Sequence, residues 1–433
     1  MLIAAWLAVI AASAFACRGS ERAAAEWIER EAHPFEEDSQ LEPLLRELEG
    51  HRLVLLGEST HGTEEFYEWR RRITQALVER GAIGFVAVEG DWPLLVELGA
   101  WARHAGPNAD DEGAGRRIVA GFDRWPHWMW SNEQTLKLAT WLREHNRDRP
   151  ESERVGLYGL DLYSPERAIA NAVEWLREHR AAALEGGDYA CMIEVARAGR
   201  GHRQRVASGE GCEEELEALI AEVEALAIER GGELASRRDR HALLEALYGA
   251  RQAERHFAAD DASEGWNLRA GYFFEVAKRL LELYGDDRAG VVWAHNTHIG
   301  DGRATPMARR DQVNIGMLAS QNLGEDQVFR VGFGTDAGEV LAARQWGAAV
   351  ETMAIAPARD GSLGAYLREH GPAQTFWLLD DMPPRRLRRL PHRAIGVVWS
   401  GEDADGNYIS SATADRYDAF VWIEESTALR PLR

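Results

Sequence analysis

Four apolar segments of strand length recur along the chain, and each one ends abruptly in ionisable side chains. They are residues 53–56, 84–88, 155–160 and 290–294. Their continuous hydrophobicity is typical of strands that are covered on both faces. After the first segment, apolar residues recur at helical spacing, at Phe66, Trp69, Ile73 and Leu77. This alternation predicts an α/β fold with a mostly parallel central sheet and flanking helices.

The ionisable residues at the strand ends are the candidates for function. The first strand leads to Glu58 and His61, the second to Glu89, the third to Asp161, and the fourth to His295 and His298. In open α/β sheets, ligands bind at the carboxyl ends of the strands. If the four strands are parallel neighbours, we expect these six side chains to converge on one crevice although they are far apart in sequence.

The chemistry of this set depends on what accompanies it. The chain has no Gly-x-Ser-x-Gly elbow, no Walker loop and no Gly-x-Gly-x-x-Gly turn after the first strand, and Ser59 is a weak substitute nucleophile. A carboxylate buried beside an imidazole is costly unless the pair is used. We therefore expect neutral His61 to take a proton from water while a neighbouring Glu orients the ring.

Other interpretations of the same residues stay open. The donor set Glu58, His61, Glu89, His295 and His298 suits zinc or manganese, so a metal-dependent hydrolase or peptidase is the main alternative. His-Glu-x-x-His is absent, however, and we expect no metal. A non-catalytic haem or ligand carrier using His295 or His298 is a third interpretation. For single residues the structural alternatives are a cap by Asp161 on the helix that begins at Ser164-Pro165, and a loop role for His298.

Five short motifs stand in order along the chain. They are GESTHGT at 57–63 with Arg70, AVEGDW at 87–92, WMWSNE at 128–133 with WLREHN at 141–146, YGLD at 158–161, and AHNTH at 294–298. The tail adds YDA at 417–419 and LRPL at 429–432. In these motifs the chain resembles the erythromycin esterase family of bacterial hydrolases, from about Trp27 to the carboxyl terminus.

The resemblance implies water-mediated, metal-independent cleavage of an ester, of the kind known in the family from macrolide lactones and antibiotic resistance. Carried over by position, His61 is the general base, and Glu58 and Glu89 orient it or the water. Substrate binding, or the steadying of charge on the carbonyl oxygen, falls to Arg70, His295 and His298. The resemblance adds Trp92, Trp128, Trp130 and Asp161 to the residues expected near the substrate, and it implies no cofactor.

One departure from the family pattern concerns the residue after Arg269. The family has Asp where this chain has Ala270. We expect Arg269 to lack its usual carboxylate partner and to contact an anionic or otherwise different substrate. The alternative is that Glu275 or Glu264 supplies the missing charge.

Long helical patterns separate the third strand from the fourth. Residues 213–230 and 237–257 have the spacing of consecutive helices, and roughly 165–285 is too long for a simple crossover. We expect a large inserted helical cap over the crevice, within one hydrolytic domain spanning 18–433. Strands are expected to resume at 328–333, 375–379, 395–399 and 419–423.

Charge and the amino terminus bear on partners and location. The net charge of −21 counts against nucleic acid and anionic membranes, and we expect a small-molecule ester and a monomer or weak dimer. Residues 1–17 form a signal-like segment, too short for the ~20 residues of a spanning helix. Its small residues before Cys17 predict export to the envelope or periplasm with lipid attachment there. The segment lacks Lys and Arg, so the cytoplasm is the alternative; a disulfide between Cys191 and Cys212 is left open.

Overall fold

The computed structural model describes residues 21–225, 234–379, 387, 389–402 and 405–432. The signal-like segment with Cys17, and the end of the helix expected over 213–230, lie outside these ranges. Within them, no helix combines the length and the apolar character needed to cross a membrane.

Nine strands form one sheet in the described part of the chain, and two more pair beside it. The large sheet contains β1 (His33–Pro34), β2 (Leu53–Leu56), β3 (Ile83–Asp91), β4 (Gly156–Asp161), β5 (Ala289–Trp293), β6 (Val328–Ala343), β7 (Val350–Ile355), β8 (Gln374–Leu378) and β11 (Ala419–Ser426). The antiparallel pair is β9 (Leu390–Arg393) and β10 (Tyr408–Ser411). The fold class predicted from the sequence is confirmed.

The strand order places the four predicted strands side by side. The order is β1-β8-β11-β6-β2-β5-β3-β4, with β7 paired to β6. From β11 to β4 every neighbouring pair is parallel, whereas β1, β7 and β8 pair antiparallel. The carboxyl ends of β2, β5, β3 and β4 therefore meet at one edge, as the sequence predicted.

Alternate residues of the central strands pack on opposite faces of the sheet. Leu53 and Leu55 of β2 join one hydrophobic core, and Val54 and Leu56 join the other. All four are at most 1% exposed. This two-sided burial explains the unbroken apolar runs in the sequence.

Helices cover both faces of the sheet. In chain order they are α1 (described over 21–31), α2 (Glu42–Leu48), α3 (Glu64–Glu79), α4 (Trp92–Ala102), α5 (Ala114–Ala120), α6 (Glu133–Asn146), α7 (Pro165–His179), α8 (Ala181–Gly186), α9 (Ala190–Ala198), α10 (His202–Ala207), α11 (Glu213–Ala225), α12 (Leu234–Phe257), α13 (Ala262–Tyr284), α14 (Asn296–Ile299), α15 (Ile315–Leu323), α16 (Leu363–His370) and α17 (Thr413–Arg416). Short 3-10 turns lie at Asp38–Leu41, His127–Met129, Glu151–Glu153, Gly302–Ala304, Pro306–Arg310, Glu325–Gln327 and Asp405–Asn407. Helices α7 to α13 stand between β4 and β5, where the sequence predicted an insertion. That this insertion forms a separate cap over the crevice stays a prediction.

One predicted strand is wrong. Residues 395–399 form no regular strand, because the segment touches two strand ends instead of running along one neighbour. Ile395 makes an isolated bridge with Thr60, and Val398 makes one with Ala343. The helix expected to begin at Arg237 begins at Leu234. A disulfide joins Cys191 to Cys212 in the helical insertion.

Candidate active site

The strand ends enclose a cleft of about 270 Å³. Residues at the ends of three of the four predicted strands line this cleft: His61 follows β2, Glu89 lies near the end of β3, and Asp161 ends β4. The residues that immediately follow β5 are not in the lining. Arg269 of α13 lines the cleft from the helical insertion. The cleft therefore lies at the carboxyl edge of the parallel sheet, where the topology predicts a site.

A buried ion pair holds His61 in place. Nδ1 of His61 lies 2.9 Å from Oε1 of Glu58, and Nη2 of Arg70 donates to Oε2 of the same carboxylate at 2.6 Å. Glu58 is fully buried. Because Nδ1 is engaged, Nε2 is the ring nitrogen of His61 left for the cleft.

Arg70 belongs to this support and not to the cleft wall. Its guanidinium is fully buried and lies over the rings of Tyr67 and Trp293, at 4.5 and 5.0 Å from their centroids. It also donates from Nε to the carbonyl of Phe66. The substrate-binding role predicted for Arg70 does not fit this position, because no part of the side chain reaches the cleft.

Two neighbouring histidines have opposite pKa shifts. The ring centroids of His61 and His295 are 5.0 Å apart. Burial lowers the pKa of His61, but its hydrogen bond to Glu58 and the charges of Glu89 and Glu58 outweigh burial and raise it overall. Burial and the charge of His61 together hold the pKa of His295 well below its ordinary value. His61 is therefore the group that titrates, and His295 stays neutral.

Two backbone amides, its own and that of Thr297, hold His295 in position. Its Nδ1 accepts from the amide of Thr297 at 3.2 Å, which makes the side chain the cap of the short helix α14. Its own amide donates to Oε2 of Glu89 at 2.8 Å. The ring is close to His61 and almost fully buried, and it is not part of the cleft lining.

A second ionic network joins Glu89, Asp161, Arg269 and His298. Arg269 donates from Nε and Nη2 to Asp161 at 3.0 and 2.6 Å, and from Nη2 to Glu89 at 2.9 Å. Nε2 of His298 lies 3.2 Å from Nη1 of Arg269 and 3.3 Å from Oε1 of Glu89. Burial would raise the pKa of Glu89, but His298, His61 and Arg269 hold it well below its ordinary value.

The expectation that Arg269 lacks a carboxylate partner is wrong. Asp161 and Glu89 bind its guanidinium from two strand ends, so the buried Ala270 costs it no pairing. Neither alternative partner is used: Glu275 pairs with Arg279, and Glu264 accepts from the amide of Asp260. The capping role considered for Asp161 is also wrong. The N-cap residue of α7 is Ser164, and no side-chain capping hydrogen bond is formed there.

A third pair was not found from the sequence. Arg124 donates from Nε and Nη2 to Asp91 at 2.5 and 2.9 Å, and both residues line the cleft with Arg269. Tyr163 lies between the two guanidiniums, with its ring centroid 5.2 Å from Arg124 and 5.1 Å from Arg269. Asp91 lies within the motif at 87–92 and Tyr163 lies two residues after the motif at 158–161, so both carried a signal, whereas Arg124 lies in a loop and carried none.

The predicted aromatic wall is only partly correct. Trp92 and Trp128 are buried away from the cleft, and Trp92 stacks on Tyr158. Trp130, from the same motif as Trp128, does line the cleft and donates to the carbonyl of Glu89. Cleft residues missed by the sequence analysis are Phe122, His127, Met129, Trp266 and Trp346. His298 also sits outside the cleft lining, stacked on Trp266 at 4.6 Å.

The two glutamates among the metal-type donors at the strand ends are already engaged by protein groups, whereas His61, His295 and His298 each keep one ring nitrogen without a hydrogen-bond partner among the described residues. Both oxygens of Glu58 and both of Glu89 accept hydrogen bonds. Among the described residues, three candidate donor atoms come within 4.8 Å of one another only at Cys191, Cys212 and Glu215, where the two sulfurs form the disulfide. Metal independence stays a prediction for experiment.

Solved structures share this fold over nearly the whole chain. A succinoglycan biosynthesis protein superposes with a TM-score of 0.76 at 16% identity, covering 95% of this chain and 99% of that one. A Bacillus cereus protein gives a TM-score of 0.75 at 16% identity with the same coverage. An open-conformation mutant of the erythromycin esterase EreC gives 0.60 at 15% identity, covering 92% and 96%. These likenesses define the class of fold, an α/β fold built on a large central sheet.

The family follows from the sequence match. The model of the family described as erythromycin esterase matches residues 78–426. The chain belongs to the erythromycin esterase family, as its motifs predicted. Membership supports ester hydrolysis as the general class of activity.

Proposed function

We propose that this protein is a carboxylic-ester hydrolase in which His61 activates water, without a covalent serine intermediate. The observation that carries the proposal is the buried Arg70–Glu58–His61 series at the floor of the cleft, with Nε2 of His61 facing the open space. A general base must present a lone pair to the reacting water, and its orientation must be fixed. The ion pair to Arg70 fixes Glu58, and Glu58 fixes the ring.

The proposed reaction has two proton transfers. Nε2 of His61 takes a proton from water as the water oxygen bonds to the ester carbonyl carbon. The tetrahedral intermediate then collapses, the bond from carbon to the alcohol oxygen breaks, and the imidazolium returns its proton to the leaving alkoxide. The products are a carboxylic acid and an alcohol, and His61 is neutral again.

The charges around His61 suit this cycle. Glu58 and Glu89 stabilise the imidazolium formed in the first step, which is why the pKa of His61 is raised despite burial. Neutral His295 beside it adds no opposing charge. Arg269 and Arg124 are the two arginines of the cleft lining, and we propose that the field of Arg269 lowers the energy of the negative charge developing on the carbonyl oxygen.

Substrate and setting extend the proposal. We propose a macrolactone or a similarly large ester, the substrate class that family membership supports. The inner cleft of about 270 Å³ is small for a ligand pocket, for which ~300–1,000 Å³ is usual, so it would hold only the part of such a substrate around the ester bond. The disulfide between Cys191 and Cys212 supports the proposed export, because such bonds persist in oxidising compartments. Lipid attachment at Cys17 and a monomeric state remain proposals of the same kind.

The test is hydrolysis of an ester panel that includes a fourteen-membered macrolide, followed by mass spectrometry for the addition of water. We expect at least one ester to gain water, with or without chelator, and His61→Ala to lower turnover by roughly 10²–10⁴-fold. The matched control is His127→Ala, which removes an exposed cleft histidine that has no carboxylate partner. We expect it to keep most of the turnover.

Three results would contradict the proposal. Full turnover in the His61→Ala protein would remove the general base. Loss of turnover on chelation, restored by one added metal, would favour the metal-dependent hydrolase or peptidase. An intact ester panel together with a Soret band on protein loaded with haem would favour the haem carrier.

A further inference from the structure

A small cavity of about 20 Å³ lies against the two loops that carry candidate catalytic residues. Ser59 lines it from the loop after β2, which also holds Glu58 and His61, and Asn296 lines it from the turn after β5. No described residue lines both this cavity and the inner cleft. We call it the rear cavity. Its volume suits one water molecule or an ion of similar size, for which about 10–15 Å³ is enough.

Three buried side chains of the rear cavity have a polar atom without a hydrogen-bond partner among the described residues. The atoms are Oγ of Ser59, Nδ1 of His392 and Nε1 of Trp422. None of the three residues is more than 4% exposed. A buried polar atom without a partner costs free energy, and folded proteins pair such atoms with protein groups, water or an ion. One ligand in this cavity would give all three a partner.

All three atoms can donate to that ligand. The indole N–H of Trp422 only donates, and the hydroxyl of Ser59 donates or accepts. Burial and the charge of Arg416 hold the pKa of His392 well below its ordinary value, so the ring is neutral and has one N–H. The hydroxyl of Thr413 lies 3.0 Å from Nε2 of His392, nearer than a backbone carbonyl at 3.4 Å. When this hydroxyl donates to Nε2, the ring proton lies on Nδ1.

The described lining of the rear cavity contains a cation and no carboxylate. The cation is Arg393, which is 5% exposed. Two carboxylates adjoin lining residues in the sequence, Glu58 and Asp336, and they are paired with Arg70 and Arg368. The lining therefore favours a ligand of negative charge.

A second buried cation, Arg416, lies near the same cavity. Its Nη2 donates to the carbonyl of Asn296 at 2.9 Å, and its Nη1 donates to Oγ of Ser411 at 3.4 Å. Within the described part of the chain it makes no ion pair. Its charge acts on His392 of the lining. A buried cation without a carboxylate is costly, and an anion in the rear cavity would offset part of that cost.

We propose that the rear cavity binds one small monovalent anion of halide size, and that this anion restrains the two loops for catalysis. The indole N–H, the hydroxyl and the imidazole N–H donate to the anion. The two buried guanidiniums favour it over a water molecule, because water brings no charge to oppose theirs. The binding does not depend on the proposed esterase function; its effect on turnover rests on that function.

Backbone contacts connect the rear cavity to the proposed general base. Ser59 follows Glu58, the carboxylate that orients His61. Asn296 follows His295, and its amide donates to the carbonyl of Glu58 at 2.8 Å. A ligand that fixes the side chain of Ser59 therefore restrains the loop on which both Glu58 and His61 lie.

The first test compares chloride with gluconate, an anion too large for the cavity, at constant ionic strength. We expect chloride to raise Tm saturably, by about 3 °C at about 100 times its Kd. We expect kcat for a cleaved ester to be higher in chloride than in gluconate. In crystals grown with bromide, we expect an anomalous signal in the rear cavity, within hydrogen-bond distance of Nε1 of Trp422.

The variant that tests the donors is Trp422→Phe, which keeps an aromatic ring and removes the N–H. We expect it to raise the Kd for chloride, taken from the chloride dependence of Tm, about tenfold. Trp377→Phe is the matched control. It also removes a buried indole N–H, but that N–H donates to the carbonyl of Ile28 and lies outside the lining of the rear cavity. We expect the control to leave the Kd for chloride unchanged.

These outcomes are separate from those of the esterase proposal, because Tm and diffraction need no substrate. No bromide signal in the rear cavity, with equal Tm in chloride and gluconate, would overturn the anion site and leave water as the ligand. An equal change of the Kd in Trp422→Phe and Trp377→Phe would overturn it as well. Bromide bound in the cavity with kcat independent of chloride would reject the restraint on the loops.

Discussion

The inner cleft lies beside a larger space of about 1,000 Å³, here called the outer chamber, with which it shares Leu94, Arg124, Tyr163 and Trp346. The two differ in how many of their charged side chains are paired. In the inner cleft every carboxylate singled out above has a cationic partner: Glu58 has Arg70, Glu89 and Asp161 have Arg269, and Asp91 has Arg124. In the outer chamber Arg124 is paired as well, but Glu97, Asp123, Arg167 and Arg200 are exposed and make no hydrogen bond or ion pair with any described residue. Tyr163, between Arg124 and Arg269, marks the boundary.

This difference indicates that the inner cleft carries out the reaction and that the outer chamber selects the substrate. A buried, fully paired network holds its members in one geometry, because moving any of them leaves a charge without a partner. Exposed and unpaired groups cost little to move or replace, and they can accommodate different ligands. We therefore expect substitutions in the inner cleft to change stability and kcat, and substitutions in the outer chamber to change KM.

The largest expected effect comes from breaking the pair beneath His61. Arg70→Met leaves the buried Glu58 carboxylate without its cation, and we expect the free energy of unfolding to fall by about 3–5 kcal/mol. Urea denaturation measures it. Arg72→Met is the matched control on the same helix, because Arg72 forms partly exposed pairs with Asp38 and Glu68. Removing exposed pairs costs about 0–1 kcal/mol.

An equal loss of stability in the two variants would contradict the contrast between buried and exposed pairs. The double variant Glu58→Gln with Arg70→Met sharpens it. Removing both charges leaves neither one uncompensated, so we expect the double variant to be more stable than Arg70→Met alone. We expect it to stay inactive, because His61 has lost the carboxylate that orients it.

The helical spacing of the residues around Arg70 indicates its role better than the family motif does. Phe66, Arg70, Ile73 and Leu77 fall at spacings of four, three and four, so Arg70 shares the buried face of α3. That periodicity indicates a buried cation, and a buried cation needs a buried carboxylate, for which Glu58 was the nearest candidate. The family motif alone suggested substrate binding, and the periodicity was the better guide.

The sheet was predictable because strands that are buried on both faces have unbroken apolar sequences, as at Leu53–Leu56. The strand ends were predictable because parallel neighbours share an edge. The pairing of Asp91 with Arg124 was not, since a loop 33 residues further on brings the arginine back. Nor was the place of Trp346, because a hairpin loop has no periodicity from which its direction could be read.

The pH dependence of activity tests the electrostatics of the inner cleft. Neutral His61 is the proposed base, and its pKa is raised, so kcat/KM is expected to rise with pH along a limb centred above the ordinary histidine value of about 6.5. The stability that protonated His61 contributes is complete below that ordinary value and is lost as pH rises through the raised pKa. The neutral, active form of His61 therefore becomes populated over the same pH range in which the stabilisation by protonated His61 is lost.

Glu58→Gln is the variant that shifts this limb. Without the carboxylate, burial dominates and the pKa of His61 falls, so the midpoint moves to lower pH while kcat drops about 10²-fold. Glu65→Gln is the control, since Glu65 binds Thr427 at the surface and not His61. An unchanged midpoint in Glu58→Gln would show that another group controls the profile.

The smallest effect is expected in the outer chamber, at Arg200. Its side chain is exposed, so Arg200→Ala should change the free energy of unfolding by no more than ~0.5 kcal/mol. For a macrolide-sized ester we expect KM to rise about threefold with kcat unchanged, the scale of an exposed charged contact. Initial rates for that ester, and for the same acyl group on a short alcohol, measure both constants.

Arg197→Ala is the matched control for Arg200. Arg197 is an exposed arginine of α9 that lies outside the lining of the outer chamber. We expect it to leave both esters unaffected. Because the short ester does not reach the outer chamber, Arg200→Ala should leave its KM unchanged as well. If Arg200→Ala instead slowed both esters through kcat, the two chambers would act as one unit, and the division between chemistry and selection would fail.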